Sequence, residues 1–174
     1  MLGTIGIIVA GVILGILIFA VIKPDRFRVE RATSINGPPE KIFPLIDDFH
    51  AWMAWSPWEK LDPNLTRTYS GADRSKGAVY EWMGKKAGQG RMEITDSTPT
   101  SRIDIKLDFL KPFEAHNTVR FTLEPAQAAT RVTWSMEGPN GFMTKVMSVF
   151  VSMDAMIGKD FEAGLVNLKA VAER

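Results

Sequence analysis

Residues 140–172 carry the longest periodic apolar pattern of the chain and read NGFMTKVMSVFVSMDAMIGKDFEAGLVNLKAVA. Large apolar side chains recur there every three or four positions, which places them on one face of an α-helix. They are Phe142, Val146, Val149, Phe150, Met153, Ile157, Phe161, Leu165 and Leu168. Pro139 and Asn140 provide a stop and an N-cap. The pattern predicts one long amphipathic helix that needs a large apolar partner surface.

The region before this helix predicts that partner, because it alternates between apolar and polar residues. Residues 102–110 place Ile103, Ile105, Leu107 and Phe109 opposite charged residues, as expected for a strand with one buried face. Similar patterns predict strands at 26–35, 65–69, 78–83, 91–95, 114–124 and 130–138, and short helices at 40–48 and 49–55. We expect an α+β fold with a seven-stranded curved antiparallel sheet around the C-terminal helix.

An internal pocket follows from this architecture, since one helix cannot fill the hollow of a curved seven-stranded sheet. The first half of the helix also contains Met143, Met147, Val151 and Met156, so that it is apolar over more of its circumference. We expect residues 142–157 to border the pocket mouth and residues 161–168 to close its floor. Gly158 and Gly164 would permit bending or close approach to the sheet.

The N-terminal stretch differs from the rest, because Leu2–Ile22 contains no charged residue. A helix of this length measures about 31 Å, close to the hydrocarbon thickness of about 30 Å. It predicts a transmembrane helix at residues 1–23, ahead of a domain at 26–174. A cleaved signal peptide is the alternative, with small residues around Ala20, but the apolar run is long for one.

Positive residues follow this stretch at Lys23, Arg26 and Arg28 and again at Arg31. The positive-inside rule then predicts a single-pass membrane protein with its domain in the cytoplasm. Gly11 and Gly15 form a small-xxx-small pair that is compatible with a homodimer of two such helices. Glycine is also common in membrane helices without any such pairing.

Composition limits the function classes. The 174 residues carry a net charge of +1 with acids and bases interspersed, whereas nucleic-acid binding normally shows a concentrated basic surface. Cysteine is absent, and His50 and His116 do not have metal-ligand spacing. We therefore expect no nucleic acid, no metal and no cofactor.

Several local motifs resemble one known superfamily. PPEKIF at 38–43, WMAWSPW at 52–58, KPFEAHN at 111–117 and Trp134 followed by Gly138-Pro139 are similar to the bacterial polyketide cyclase/dehydrase-like members of the SRPBCC, or START-like helix-grip, superfamily. The resemblance covers residues 26–174 and implies the helix-grip fold. It also implies a cavity for a hydrophobic small molecule or lipid.

The candidate ligand-binding residues lie on the inward faces of this predicted fold. Tyr80 and Trp82 share a strand face, and large side chains are expected beside them, as suits an apolar ligand or an ordinary core. The full predicted set is Trp55, Trp58, Tyr80, Trp82, Met92, Phe109, Asn117, Trp134, Met136 and Met153.

Two of these predictions leave alternatives open. Trp52, Trp55 and Trp58 form a cluster that could cover the pocket, lie at a membrane interface or pack the short helices. Asn117 points inward by alternation, and a buried amide must find partners. It would either orient a ligand oxygen or brace the Lys111–Pro112 connection.

The sequence thus predicts membrane-anchored binding of a hydrophobic small molecule or lipid in an internal cavity. The alternative is a polyketide cyclase or dehydratase-like enzyme acting on an aromatic or polyketide-type substrate. Such an enzyme needs a titratable group inside the pocket, and alternation places few there. An interaction domain with a filled core is a third hypothesis. No catalytic residue is predicted.

Overall fold

The computed structural model describes residues 2–149 and 152–174. An N-terminal helix precedes a first strand, and three short helical segments lead into six further strands and two C-terminal helices. The helices are α1 (Leu2–Val21), α2 (Pro39–Asp47), α3 (Phe142–Met147) and α4 (Met153–Ala172), with 3-10 helices at Phe49–Ala54 and Pro57–Lys60. The strands are β1 (Arg26–Asn36), β2 (Thr66–Gly71), β3 (Ala78–Gly84), β4 (Gly88–Thr98), β5 (Arg102–Lys111), β6 (Ala115–Ala126) and β7 (Ala129–Pro139).

The strands form one seven-stranded sheet in the order β1-β7-β6-β5-β4-β3-β2, with every neighbouring pair antiparallel. The predicted alternation sets its register. One row of inward residues runs across five strands, from Ile94 through Ile105, Val119 and Met136 to Val29. All five are buried, so one sheet face carries the core as predicted.

The C-terminal region differs from the single predicted helix. α3 ends at Met147, and α4 begins at Met153 after Ser152, whose hydroxyl accepts a hydrogen bond from the Ala155 backbone N–H. This N-cap satisfies a backbone donor that a continuous helix would have bonded to a carbonyl. The apolar period runs through the break, which is why periodicity alone predicted one helix. Phe150 and Val151 lie outside the described residues.

Helix α4 lies close against the sheet, and the two glycines in it explain how. A Cβ at Gly164 would lie 2.7 Å from Cζ3 of Trp134, and one at Gly158 would lie 2.0 Å from Nη2 of Arg31. Arg31 also bonds Asp154 and Glu162 on the same helix, at 2.7 and 2.6 Å. The predicted close approach at both glycines is therefore present.

The predicted transmembrane helix at residues 1–23 requires a correction. The stretch forms helix α1, and its C-terminal end packs on the domain, where Ala20 is buried and the Lys23 ammonium donates to the Ser148 carbonyl at 3.3 Å. In the described part of the chain, no helix is long and apolar enough to cross a membrane.

On this finding the predicted membrane span is wrong. The single-pass localisation with a cytoplasmic domain rested on that span and is wrong with it. The membrane contact through Leu2–Ile22 and the membrane anchoring of the domain also rested on the span, and they are left without support. A homodimer through Gly11 and Gly15 stays a prediction.

Candidate functional site

A cavity of about 270 Å³ lies between the inward sheet face, the two 3-10 helices and the middle of α4. Its lining is mostly aromatic and aliphatic. The apolar residues around it are Trp52, Trp58, Leu61, Leu65, Tyr80, Trp82, Ala87, Met92, Leu107, Phe109, Val119, Trp134, Met136, Ile157 and Phe161. Leu61 and Lys86 are exposed members of the lining, so the opening lies between the second 3-10 helix and the β3–β4 turn.

Seven of the ten predicted ligand-binding residues line this cavity: Trp58, Tyr80, Trp82, Met92, Phe109, Trp134 and Met136. The sheet register brings them together. Tyr80 pairs with Met92 across β3 and β4. Trp134 lies beside Phe121, two positions from Met136 on the same face.

Trp55, Asn117 and Met153 are placed elsewhere. Trp55 is buried beneath Trp134, and its indole N–H donates to the Leu45 carbonyl at 2.8 Å. The Asn117 carboxamide lies over Gly138, where a Cβ would come within 2.0 Å of its Oδ1. Met153 packs against the core at the start of α4 without reaching the cavity. These positions are explained by packing.

The tryptophan cluster forms one end of the site. Trp134 stacks on Phe161 of α4 at 4.1 Å between ring centroids, and the Trp58 ring meets both edge-on at 5.5 and 6.1 Å. The indole N–H of Trp52 donates to the Ile46 carbonyl at 2.9 Å. Such aromatic pairs add stability beyond their buried area, so this end of the cavity is closely packed.

The opposite end is formed by Trp82 and Phe109. The Trp82 ring lies over Gly90, where a Cβ would approach Cζ2 to 2.2 Å, and its N–H donates to the Ala87 carbonyl at 3.1 Å. The Phe109 ring meets it edge-on at 5.8 Å. Glycine at position 90 therefore makes room for the indole that lines the cavity.

Helix α4 contributes less of the lining than expected. Ile157, Asp160 and Phe161 border the cavity, whereas Leu165 and Leu168 are buried in the core below it. Phe142 is half exposed and lies beside Asp25 and Lys145 in a separate shallow surface depression. Of the predicted mouth residues 142–157 whose side chains are described, only Ile157 borders the cavity, together with Asp160 and Phe161 in the next turn of α4. The side chains of Met143 and Met147 are outside the described part of the chain.

Glu59 is the cavity residue that sequence reasoning missed. Its side chain is only 7 % exposed. Its carboxylate accepts the Tyr80 hydroxyl at 2.6 Å through Oε1 and the Arg67 guanidinium at 2.6 Å through Oε2. Glu59, Arg67 and Tyr80 lie on three different elements. The sequence signal was limited to an acid inside a tryptophan-rich stretch.

The electrostatics of this group follow from burial and pairing. Burial, assisted by the hydrogen bond to Glu59, raises the pKa of the Tyr80 hydroxyl far above its ordinary value. The hydrogen bond to Glu59 raises the pKa of the Arg67 guanidinium, against its desolvation. Tyr80 is therefore a neutral donor, and the Glu59–Arg67 ion pair keeps a charged acceptor at the cavity.

Other titratable groups are remote from the cavity or at its rim. His116 and Asp108 pair on the outer sheet face, with 2.7 Å between Nδ1 and Oδ1. Asp160 and Lys86 border the cavity near solvent. Within the described residues there is no group of three or more histidine, aspartate or glutamate side chains arranged to hold a metal ion.

Solved structures share this fold at low sequence identity. Protein CV1439 from Chromobacterium violaceum is 17 % identical, with a TM-score of 0.59 over 87 % of this chain and 99 % of that chain. DynU16, a putative protein in the dynemicin biosynthetic locus, is 17 % identical, with a TM-score of 0.61 over 87 % of this chain and 48 % of that chain.

The Aha1 dimer from Colwellia psychrerythraea is a third such structure. It is 17 % identical, with a TM-score of 0.57 over 84 % of this chain and 96 % of that chain. At identities this low, the likeness shows a common fold alone. No curated protein matches the chain.

The family is shown by sequence. The family described as "Polyketide cyclase / dehydrase and lipid transport" matches residues 26–173, which include every strand, the cavity and α4. This agrees with the superfamily that the local motifs resemble. The chain therefore belongs to the polyketide cyclase/dehydrase and lipid transport family of helix-grip proteins.

Proposed function

We propose that this protein binds a compact hydrophobic molecule in the cavity beneath helix α4. The observation that carries the proposal is the lining itself, in which aromatic and aliphatic side chains from five strands surround a preformed space. Ligand sites are concave and mostly apolar, with a few placed polar groups. Glu59 and Tyr80 are such groups.

The volume of the cavity limits the size of the ligand that it can enclose. A dry cavity of about 150 Å³ in another protein holds benzene. A cavity of about 270 Å³ accordingly suits a fused two-ring molecule or an aliphatic molecule of similar size. A long-chain lipid would be enclosed only in part.

Naphthalene is a suitable probe of this function. Naphthalene is titrated into the full chain, and the tryptophan fluorescence of the protein is recorded. The emission should fall to a plateau as the cavity fills, because Trp58, Trp82 and Trp134 line it. Absence of saturable binding, together with absence of any apolar molecule in organic extracts of the purified protein, would contradict the proposal.

Two substitutions on α4 form a matched pair for this test. Ile157→Asp places a carboxylate at the cavity and should weaken naphthalene binding at least tenfold, because a buried charge without a partner is strongly disfavoured. Met153→Asp lies one turn earlier, outside the cavity and at a helix N-terminus that favours acids. It should leave the dissociation constant within about twofold. Equal effects of the two variants would place the binding site elsewhere.

The second candidate function is an enzyme, which the position of Glu59 favours. A carboxylate at the cavity could remove a proton alpha to a substrate carbonyl, after which loss of a hydroxyl as water would form a double bond. An aromatic β-hydroxyketone offered to the protein tests this. Water loss observed by mass spectrometry with wild type and lost in Glu59→Gln would favour the enzyme, whereas bound but unchanged ketone would favour the binding protein.

A further inference from the structure

Hydrogen bonding around Glu59 in the cavity is dominated by acceptors. A carboxylate offers about four lone-pair sites, and the Glu59 carboxylate fills two of them with Tyr80 and Arg67. The Tyr80 hydroxyl donates its hydrogen bond to Glu59, and its oxygen lone pairs can still accept one. The buried Glu59 carboxylate and the Tyr80 hydroxyl oxygen thus retain unfilled acceptor positions in the cavity.

Away from Glu59 the described lining holds an unpaired donor, because the indole N–H of Trp134 is buried without a partner. The donors near Glu59 are already engaged or lie at the rim. The Arg67 guanidinium is directed to Glu59 and to the backbone carbonyls of Leu65 and Glu59. The indole N–H groups of Trp52 and Trp82 are bonded to backbone carbonyls. Lys86 lies at the exposed rim. A ligand that reaches Glu59 therefore meets acceptors.

We propose that the ligand of this cavity is a neutral apolar molecule with a hydroxyl or N–H group, which donates a hydrogen bond to the Glu59–Tyr80 pair. The inference rests on the proposed binding function and specifies the polar end of its ligand. Carboxylate ligands such as free fatty acids are disfavoured, because their charge would lie beside that of Glu59 in a poorly hydrated space.

Three probes with the same ring system separate these requirements. Naphthalene tests the apolar cavity alone, 2-naphthol adds one neutral donor, and 2-naphthoate adds a carboxylate instead. With the full wild-type chain at pH 7, we expect 2-naphthol to bind about tenfold or more tightly than naphthalene, since a hydrogen bond to a charged group typically gives that factor. We expect 2-naphthoate to bind most weakly of the three.

Glu59→Gln tests the assigned residue. Glutamine keeps the shape of the side chain and can still accept the Tyr80 hydroxyl, and Arg67 is exposed enough to reach water. The advantage of 2-naphthol over naphthalene should shrink to within about threefold, and the ratio of these two affinities is the quantity compared with wild type. Glu81→Gln is the matched control on the outward face of β3, and it should keep the wild-type selectivity.

The outcomes are distinct. If naphthalene and 2-naphthol both fail to bind wild type, the proposed function fails and this inference fails with it. If naphthalene binds and 2-naphthol has no advantage, or if Glu59→Gln keeps that advantage, only the inference is overturned. Tightest binding of 2-naphthoate would likewise overturn it.

Discussion

At the scale of single residues, the contact between Gly164 and Trp134 shows how closely α4 lies on the sheet. Alanine is usually preferred to glycine inside a helix by about 1 kcal/mol. Here, however, the added methyl would lie 2.7 Å from the Trp134 ring and 3.2 Å from Pro57 Cδ, and both neighbours are packed. Overpacking of this kind typically costs about 1–3 kcal/mol. The two effects oppose each other, so we expect Gly164→Ala to lower the free energy of unfolding by up to about 2 kcal/mol, measured by urea denaturation.

Gly158→Ala is the matched control for that prediction. Its methyl would meet the end of the Arg31 side chain. That side chain can move into water and lose its ion pairs with Asp154 and Glu162. Surface ion pairs contribute little to the free energy of unfolding. We expect a change within about 1 kcal/mol. A Gly164→Ala variant that is more stable than wild type would contradict the close packing of α4 on Trp134.

A second residue-scale prediction concerns the outer pair of His116 and Asp108. The hydrogen bond to Asp108 raises the pKa of His116 above its ordinary value of 6.5, with a smaller contribution from Glu114. Because the folded-state pKa is the higher one, the stabilisation is complete below about pH 6.5 and is lost as pH rises through the folded value. We expect the difference in melting temperature between wild type and His116→Gln to be larger at pH 5.5 than at pH 8.5.

Asp108 sets the lower limit of the pH range in which this pair stabilises the fold. Burial opposes ionisation of Asp108, but the hydrogen bonds from His116 and Lys106 hold the pKa of Asp108 below its ordinary value of 3.8. Its contribution is therefore lost only at more acidic pH. An NMR titration in which the pKa of His116 is 6.5 or lower would contradict the pairing.

At the scale of elements, the break between α3 and α4 is the feature with the clearest test. Ser152 caps α4 through the Ala155 N–H at 3.1 Å, so Ser152→Ala should lower the free energy of unfolding by about 1 kcal/mol. In one continuous helix the same change would be neutral or stabilising, because alanine is the better helix former. Ser148→Ala is the control, since its hydroxyl only donates to the Lys145 carbonyl. An unchanged or higher stability of Ser152→Ala would favour the single helix.

Element patterns were also where the sequence was most informative. Strict alternation, as in Ile103, Ile105 and Leu107, predicted the strands and their inward faces because a strand has a side-chain period of two. The division into α3 and α4 was not predictable in this way, since apolar residues continue with helical spacing from one helix to the next. Caps are local hydrogen bonds, and a serine among many others carries only a weak signal for one.

The site was predictable only where it coincides with those inward faces. Tyr80, Met92 and Met136 follow from alternation, and they line the cavity. Glu59 does not, because its role depends on Arg67 and Tyr80, which are 8 and 21 residues away in sequence. The alternation also predicted that Asn117 points inward, which is correct. Its carboxamide does not reach the cavity, because it lies over Gly138, where the missing Cβ leaves room for it.

At the scale of the whole molecule, the cavity is a consequence of geometry. The curved sheet presents an inward face across seven strands, and α4 closes only part of it, with Ile157, Asp160 and Phe161 at the boundary. The tryptophan cluster closes one end, and Trp82 with Phe109 closes the other. The remaining space is therefore lined by side chains that the sheet register fixes in advance of any ligand.

The most direct test of this account is the location of a bound probe. With methionine methyl groups labelled and 2-naphthol bound to the full chain, isotope-filtered NMR should show nuclear Overhauser contacts from the probe to the Met92 and Met136 methyl groups, which line the cavity. It should show none to Met153, which lies outside it. Contacts to Met153 or to exposed Met53 without contacts to Met92 and Met136 would contradict the account.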